Sequence, residues 1–135
     1  MADYQVPLKD MSFVLFDVFK ADELWQTLPA LAENVDRETA DAILQECAKI
    51  AEQEIAPLSR QGDETGVSFD NGKVTTAPGY KEAFNTYVEG GWPSLGGSTE
   101  YGGMGMPKVI TAFHEEMLCS ADIAFSLYPG LSAGA

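Results

Sequence analysis

Apolar residues recur at three- and four-residue intervals over most of this chain, the signature of helices that bury one stripe. The clearest stretch follows Asp36, an N-cap candidate: Ala40, Ile43, Leu44, Cys47, Ala51 and Ile55 share one face. Glu38, Asp41, Gln45, Lys49 and Glu52 fall on the opposite face and are expected to remain in water, and Pro57 is expected to end the helix. Upstream, Leu24, Trp25, Leu28 and Leu31 recur behind a second capping candidate, Asp22, with Pro29 limiting or bending that helix. The residues from Tyr4 to Phe13 read as an extended arm leading into an apolar stretch that ends near Phe19.

The period changes after Gly62. Residues 67–74 alternate around Asn71-Gly72, a pair suited to the positive φ angles of a tight hairpin turn. Pro78 then opens a helix with Tyr80, Ala83, Phe84, Tyr87 and Val88 on one face, closed by Gly90-Gly91 through a left-handed cap. Residues 93–105 hold too many glycines for a regular element but carry bulky apolar anchors, which predicts an ordered loop. Pro107 suits the first turn of a helix carrying Val109, Ile110, Phe113 and Met117, and Ala121 to Ala135 reads as one more helix. The fold class expected is all-α, with a short hairpin excursion near residues 67–75.

At 135 residues the chain makes one domain and can bury roughly two-thirds of the surface its unfolded form exposes. No segment supplies the ~20 consecutive apolar residues of a membrane helix, and no basic stretch precedes the apolar run Phe13-Val14-Leu15-Phe16 as a secretory leader requires, so a cytoplasmic origin and no membrane partner are expected. The net charge of −13 is spread without a basic stripe, which argues against nucleic acid as a partner. Phosphate would be repelled for the same reason, so contact with a phosphate-bearing ligand should fall on its apolar part. Cys47 and Cys119 sit among apolar residues at helical spacing and read as buried, unreactive thiols.

Motifs that could carry chemistry fail on context. Gly130-Leu131-Ser132-Ala133-Gly134 matches the pattern of a hydrolase elbow, but that elbow needs a strand before its serine and a histidine downstream, and the single histidine, His114, lies upstream. The glycines from Gly96 to Gly105 lack the lysine of a phosphate loop and the spacing of a dinucleotide fingerprint. His114, Glu115 and Glu116 are sequence neighbours that diverge on a helix, which disfavours a metal site. Glu100, Glu115 and Glu116 read as solvated or capping carboxylates. The residues alone therefore leave open a non-catalytic, acidic helical module for protein interaction.

Several blocks in order resemble the acyl-CoA dehydrogenase family. They are Glu54-Ile55-Ala56-Pro57-Leu58, Gly91-Trp92, then Glu100-Tyr101-Gly102-Gly103-Met104-Gly105-Met106-Pro107, continued by Glu115-Glu116-Met117 and Ala121-Asp122-Ile123-Ala124. Ser98-Thr99 departs from the proline many members carry ahead of the tyrosine and paired glycines. The early arm, the Asn71-Gly72 turn and Tyr128-Pro129-Gly130-Leu131 look more like a subset with an amino-terminal extension, which includes 3-methylmercaptopropionyl-CoA dehydrogenases.

The resemblance implies that residues 1–35 form an extension with a first helix, and that residues 36–135 form the family's helical amino-terminal domain, truncated before the β-domain. It implies a parent enzyme that uses FAD to dehydrogenate an acyl-CoA thioester, a carboxylate base taking the α-proton while hydride passes from the β-carbon to flavin. Base and flavin contacts would lie in the remaining domains of the same chain, leaving this part inactive alone, with no catalytic, cofactor or metal residue. Electron-transfer flavoprotein as acceptor and a homo-oligomeric full-length state are implied as well. The last helix would wall the acyl pocket: Phe125, Pro129 and Ala133 fall one turn apart on a single face, with Tyr128 and Ser132 adjacent.

Overall fold

The computed structural model describes residues 4–133, and among them eight α-helices pack around one apolar core with a single two-stranded hairpin. Residues 4–7 carry no regular element, but from Leu8 onward the expected arm is helical. Helix α1 (Leu8–Ser12) runs into a wider π-type segment, Phe13–Val18, which closes with Phe19 N–H donating to the Val14 carbonyl at 3.0 Å. The widening points Leu15 and Phe16 into the core and leaves Phe13, Val18 and Phe19 exposed. Phe16 meets the edge of Trp25 at 6.2 Å and carries the Arg37 guanidinium 4.6 Å above its ring.

Helix α2 (Ala21–Gln26) begins at Lys20, held at φ +51°, so Asp22 lies in its first turn and does not cap it. An anion in a first turn still favours the helix dipole. Pro29 is the first residue of α3 (Pro29–Ala32), where its missing N–H costs no bond.

Asp36 caps α4 (Arg37–Ile50), its carboxylate accepting from Thr39 N–H at 2.7 Å. Pro57 does not end this helix. The axis widens through a π-type segment, Ala51–Ile55, and resumes as α5 (Ala56–Thr65). A wider turn shifts the hydrogen-bond register, so a proline can sit at the start of the next α segment without orphaning a carbonyl. The polar face of α4 is not wholly in water either: Glu52 accepts the Val6 N–H at 2.7 Å and Asp41 takes the Ser12 hydroxyl at 3.4 Å. The amino-terminal segment therefore lies across α4, and the acidic residues beneath it are its anchors.

Strands β1 (Ser68–Asp70) and β2 (Lys73–Thr75) pair antiparallel, with Phe69 opposite Val74, around Asn71 (φ +47°) and Gly72 (φ +81°). Positive φ at both turn residues is what the twist of a two-residue hairpin demands. Helix α6 (Tyr80–Glu89) starts after Gly79 and ends at Gly90 and Gly91, the latter at φ +77°. Tyr80, Ala83 and Tyr87 are buried, whereas Val88 faces outward.

The glycine-rich connector folds back on itself through two 3-10 turns, Trp92–Ser94 and Thr99–Tyr101. Met104, Gly105 and Met106 N–H groups donate to the carbonyls of Ser94, Gly97 and Leu95 at 2.9–3.0 Å, with Leu95 as the buried anchor. Gly103 passes so close to Gly97 that a Cβ would stand 2.2 Å from its backbone. Pro107 precedes α7 (Lys108–Ala121) and, after Asp122, α8 runs from Ile123 to Ala133; the last two residues of the helix expected to reach Ala135 lie outside the described residues.

Gly103→Ala should lower stability by about 2 kcal/mol or more, since the clash is backbone against backbone and nothing flexible can yield. Gly130→Ala, with open space around it in α8, should be neutral or slightly stabilising. Thermal denaturation of both variants tests the contrast, and equal melting temperatures would refute it.

Candidate functional site

The site assembles where α7 turns into α8. Asp122 interrupts the helix with an extended backbone, φ −162° and ψ 104°. One carboxylate oxygen accepts the Phe125 N–H at 3.1 Å, starting α8, and the other takes the Tyr80 hydroxyl from α6. Asp122 is buried, so both bonds form out of reach of water. Burial, and then the Asp122 carboxylate, push the Tyr80 phenol well above its ordinary range, which keeps it a donor. Gly62 on α5 makes room for it, since a Cβ there would lie 2.0 Å from the Tyr80 oxygen.

Helix α8 separates two concavities. On one side lies a cleft of about 1080 Å³ bounded by Tyr4, Glu52, α5, Tyr80 and Tyr128. On the other lies a groove of about 680 Å³ between α8, α7 and the glycine-rich connector, lined by Pro129, Ser126, Leu118, Leu95, Trp92 and His114 among others. The residues expected to share one wall are distributed between these surfaces. Phe125 is 0% exposed and sits inside an aromatic cluster, 5.9 Å from Tyr87, 6.3 Å from Tyr80 and 6.4 Å from Tyr128. Tyr128 faces the cleft, Pro129 the groove, and Ser132 is exposed outside both. The Ala133 side chain lies outside the described residues. Exposed apolar residues Ile123, Leu127 and Leu131 follow α8 at four-residue spacing, Ile123 at the cleft and Leu127 at the groove.

The groove holds an arrangement that motif reading passed over. His114 is 3% exposed, stacked on Tyr87 with ring centres 5.7 Å apart at 7°, and bordered by Trp92 at 5.4 Å. Its Nε2 pairs with the Tyr87 hydroxyl at 2.9 Å, and its Nδ1 has no partner among the described residues. Burial pushes the imidazole down to about 4, and drives the Tyr87 phenol upward. The clue was present in the sequence, because His114 falls four residues after Ile110 and three before Met117, on the buried face of α7.

Other candidates find no chemistry here. Glu100, Glu115 and Glu116 are exposed, and no cluster of potential metal ligands occurs among the described residues. Ser132 sits within α8, not between a strand and a helix, and Gly134 of that pattern lies outside the described residues. No helix among the described residues is long and apolar enough to cross a membrane. Cys47 is buried and its thiol is pushed up to about 12 by that burial, so it is inert at neutral pH, whereas Cys119, expected to be buried as well, is exposed on α7.

A family model for the acyl-CoA dehydrogenase N-terminal domain matches residues 37–135. The chain belongs to this family. It is 38% identical over 134 residues to the 3-methylmercaptopropionyl-CoA dehydrogenase of Ruegeria pomeroyi, which covers 98% of this chain and 22% of that protein. It is 33% identical over 137 residues to the broad-specificity linear acyl-CoA dehydrogenase FadE5 of Mycobacterium tuberculosis, covering 96% of this chain and 21% of that one. The chain thus spans about a fifth of the length of these curated relatives. Its all-α architecture with a small hairpin agrees with that domain type. A flavin dinucleotide needs donors for its pyrophosphate, and the concavities beside α8 do not fit one: Arg60 in the cleft is paired with Glu64 at 2.8 Å, and Lys108 in the groove with Glu115 at 3.3 Å.

His114, the chain's single histidine, gives a clean test of the groove. Its folded pKa lies below its unfolded value, so its contribution is fully present above about pH 6.5 and is lost as pH falls towards 4. The loss approaches about 3 kcal/mol across that window. An NMR titration should show no imidazole transition near pH 6.5, and a midpoint near 6.5 would contradict the buried, neutral assignment.

Proposed function

We propose that this chain is the helical amino-terminal domain of an FAD-dependent enzyme that dehydrogenates an acyl-CoA thioester between its α and β carbons, and that α8 supplies one wall of the acyl pocket. The observation carrying this reading is the surface of α8 itself. Exposed Ile123, Leu127 and Leu131 run its length, and a helix this apolar on its outer side is suited to burial against further protein or an acyl chain. Tyr128 on the cleft flank and Pro129 on the groove flank are the proposed contacts, with Ser132 beyond them and the buried Phe125 as the packing that fixes the helix; Ala133 completes the proposed set. The acidic surface suits an acyl contact better than a phosphate contact.

The same reading assigns the base and the flavin contacts to the remaining domains of the parent, so the chain is inactive alone. Electron-transfer flavoprotein as acceptor, a homo-oligomeric holoenzyme and a cytoplasmic location complete the proposal. The names of the relatives, one acting on 3-methylmercaptopropionyl-CoA and one on linear acyl-CoAs, support an acyl-CoA substrate without fixing its acyl group.

In the full-length enzyme, Tyr128→Ala and Leu127→Ala should change the ratio of kcat/KM for short and long acyl-CoAs by about tenfold, since each methylene in an apolar pocket is worth about 1–3 kcal/mol. Flavin content should stay at the wild-type level. An unchanged length ratio in both folded variants would remove α8 from the pocket wall.

A further inference from the structure

The hairpin between α5 and α6 carries a surface that this domain does not use. Phe69 stands directly opposite Val74 across β1 and β2, so both side chains leave the same face of the ribbon. The other face carries Ser68 opposite Thr75 and Asp70 opposite Lys73. The ribbon is therefore amphipathic, apolar on one side and polar on the other. All six strand residues are exposed, Phe69 at 73% and Val74 at 61%, so no described residue covers either face. A two-stranded ribbon is at best marginally stable in water unless something packs on it, and an apolar cross-strand pair stabilises it in full only once covered.

The size of the face decides between a separate molecule and a tethered one. Phe69, Val74 and the exposed Val67 just before β1 offer roughly 300–400 Å², against about 800 Å² per partner in a stable complex. A second copy of the chain meeting this face alone would not stay. A segment of the same polypeptide is held at high effective concentration and needs far less area. About four-fifths of the length of each curated relative lies outside the part this chain matches, room enough for such a segment in the parent. Three-residue strands present few free backbone groups, so the contact is made by the apolar face and not by edge pairing. Val67 also borders the cleft that Tyr128 and Ile123 line, so a cover on the hairpin continues towards α8.

We propose that the apolar face of the hairpin docks a segment of the parent polypeptide beyond Ala135, and that this segment presents an uncharged, apolar patch to Phe69 and Val74. The assignment rests on the reading of the chain as the amino-terminal domain of a longer enzyme, and adds to it a docking element outside the acyl pocket. A charged group facing Phe69 would be desolvated without a counter-charge, which is why the patch is apolar. Asp70 and Lys73, on the opposite face, stay in water in the docked state.

The test uses the full-length holoenzyme with the photoreactive residue p-benzoylphenylalanine placed at Phe69, at Val74 or at Lys73. Irradiation from Phe69 should link the hairpin to residues beyond Ala135 of the same polypeptide, read as a product of monomer mass on a denaturing gel and mapped by peptide mass spectrometry. Val74, on the same face, should reach the same segment, which keeps the test decisive where one variant does not fold. Lys73 should give several-fold less of that product. Phe69→Ser should then speed hydrogen exchange in the linked segment, and Lys73→Ser should not. Products of dimer mass, which place a second copy on the face, overturn the proposal, as do equal yields from both faces, links confined to residues up to Ala135, no product from either Phe69 or Val74, or unchanged exchange in Phe69→Ser. Each of these leaves the dehydrogenase reading standing, because acyl-CoA turnover by the wild-type holoenzyme is measured separately; absence of turnover with every acyl-CoA overturns that reading, and the docking is judged on the cross-links alone.

Discussion

Asp122 carries two bonds that tie α6 to the start of α8. Its carboxylate receives the Tyr80 hydroxyl from α6 and the Phe125 N–H of α8, while its backbone breaks α7. One buried charge thereby sets where α7 stops, where α8 starts and how far α6 stands from both. A buried carboxylate persists only with such partners, and removing either would leave one of its oxygens desolvated without a donor. The aromatic cluster of Tyr80, Tyr87, Phe125 and Tyr128 sits beside this junction, with Phe125 in the first turn of α8.

From that junction α8 becomes a partition. Tyr128 turns to the cleft bounded by α5 and the amino-terminal segment, while Pro129 turns to the groove bounded by α7 and the glycine-rich connector. The connector contributes rigidity, not chemistry. Its bonds from Met104, Gly105 and Met106 back to Ser94, Gly97 and Leu95 allow Gly97 and Gly103 to touch, and no residue with a Cβ could replace Gly103 without moving one strand of the loop. The fold thus keeps one face of α8 packed and two flanks concave, with exposed Ile123 and Leu127 at those flanks and Leu131 beyond them.

Much of this was legible from residue order, for reasons that are local. Asp36 as a cap, the Asn71-Gly72 turn, the Gly90-Gly91 stop and the buried stripe of α4 each depend on a few neighbouring residues, and each stands in the structure. The π-type segments at Phe13–Val18 and Ala51–Ile55 escaped because a widened turn keeps helical spacing while moving register, so Pro57 reads as a stop although it begins α5. Asp41 and Glu52 read as solvated because their partners, Ser12 and the Val6 N–H, are distant in sequence. The His114 stack is tertiary in the same sense. The position of the histidine on α7 was readable, but the Tyr87 and Trp92 rings that enclose it arrive from another helix and a 3-10 turn.

The placement of α8 against an acyl chain is the central claim, and photoaffinity mapping in the full-length holoenzyme addresses it most directly. An acyl-CoA bearing a diazirine at the far end of its chain is irradiated in the complex, and adducts are located by peptide mass spectrometry. Adducts within Ile123–Ala133, suppressed by excess unlabelled acyl-CoA, are the predicted result. Saturating, competable labelling confined to other segments of the enzyme would contradict the account.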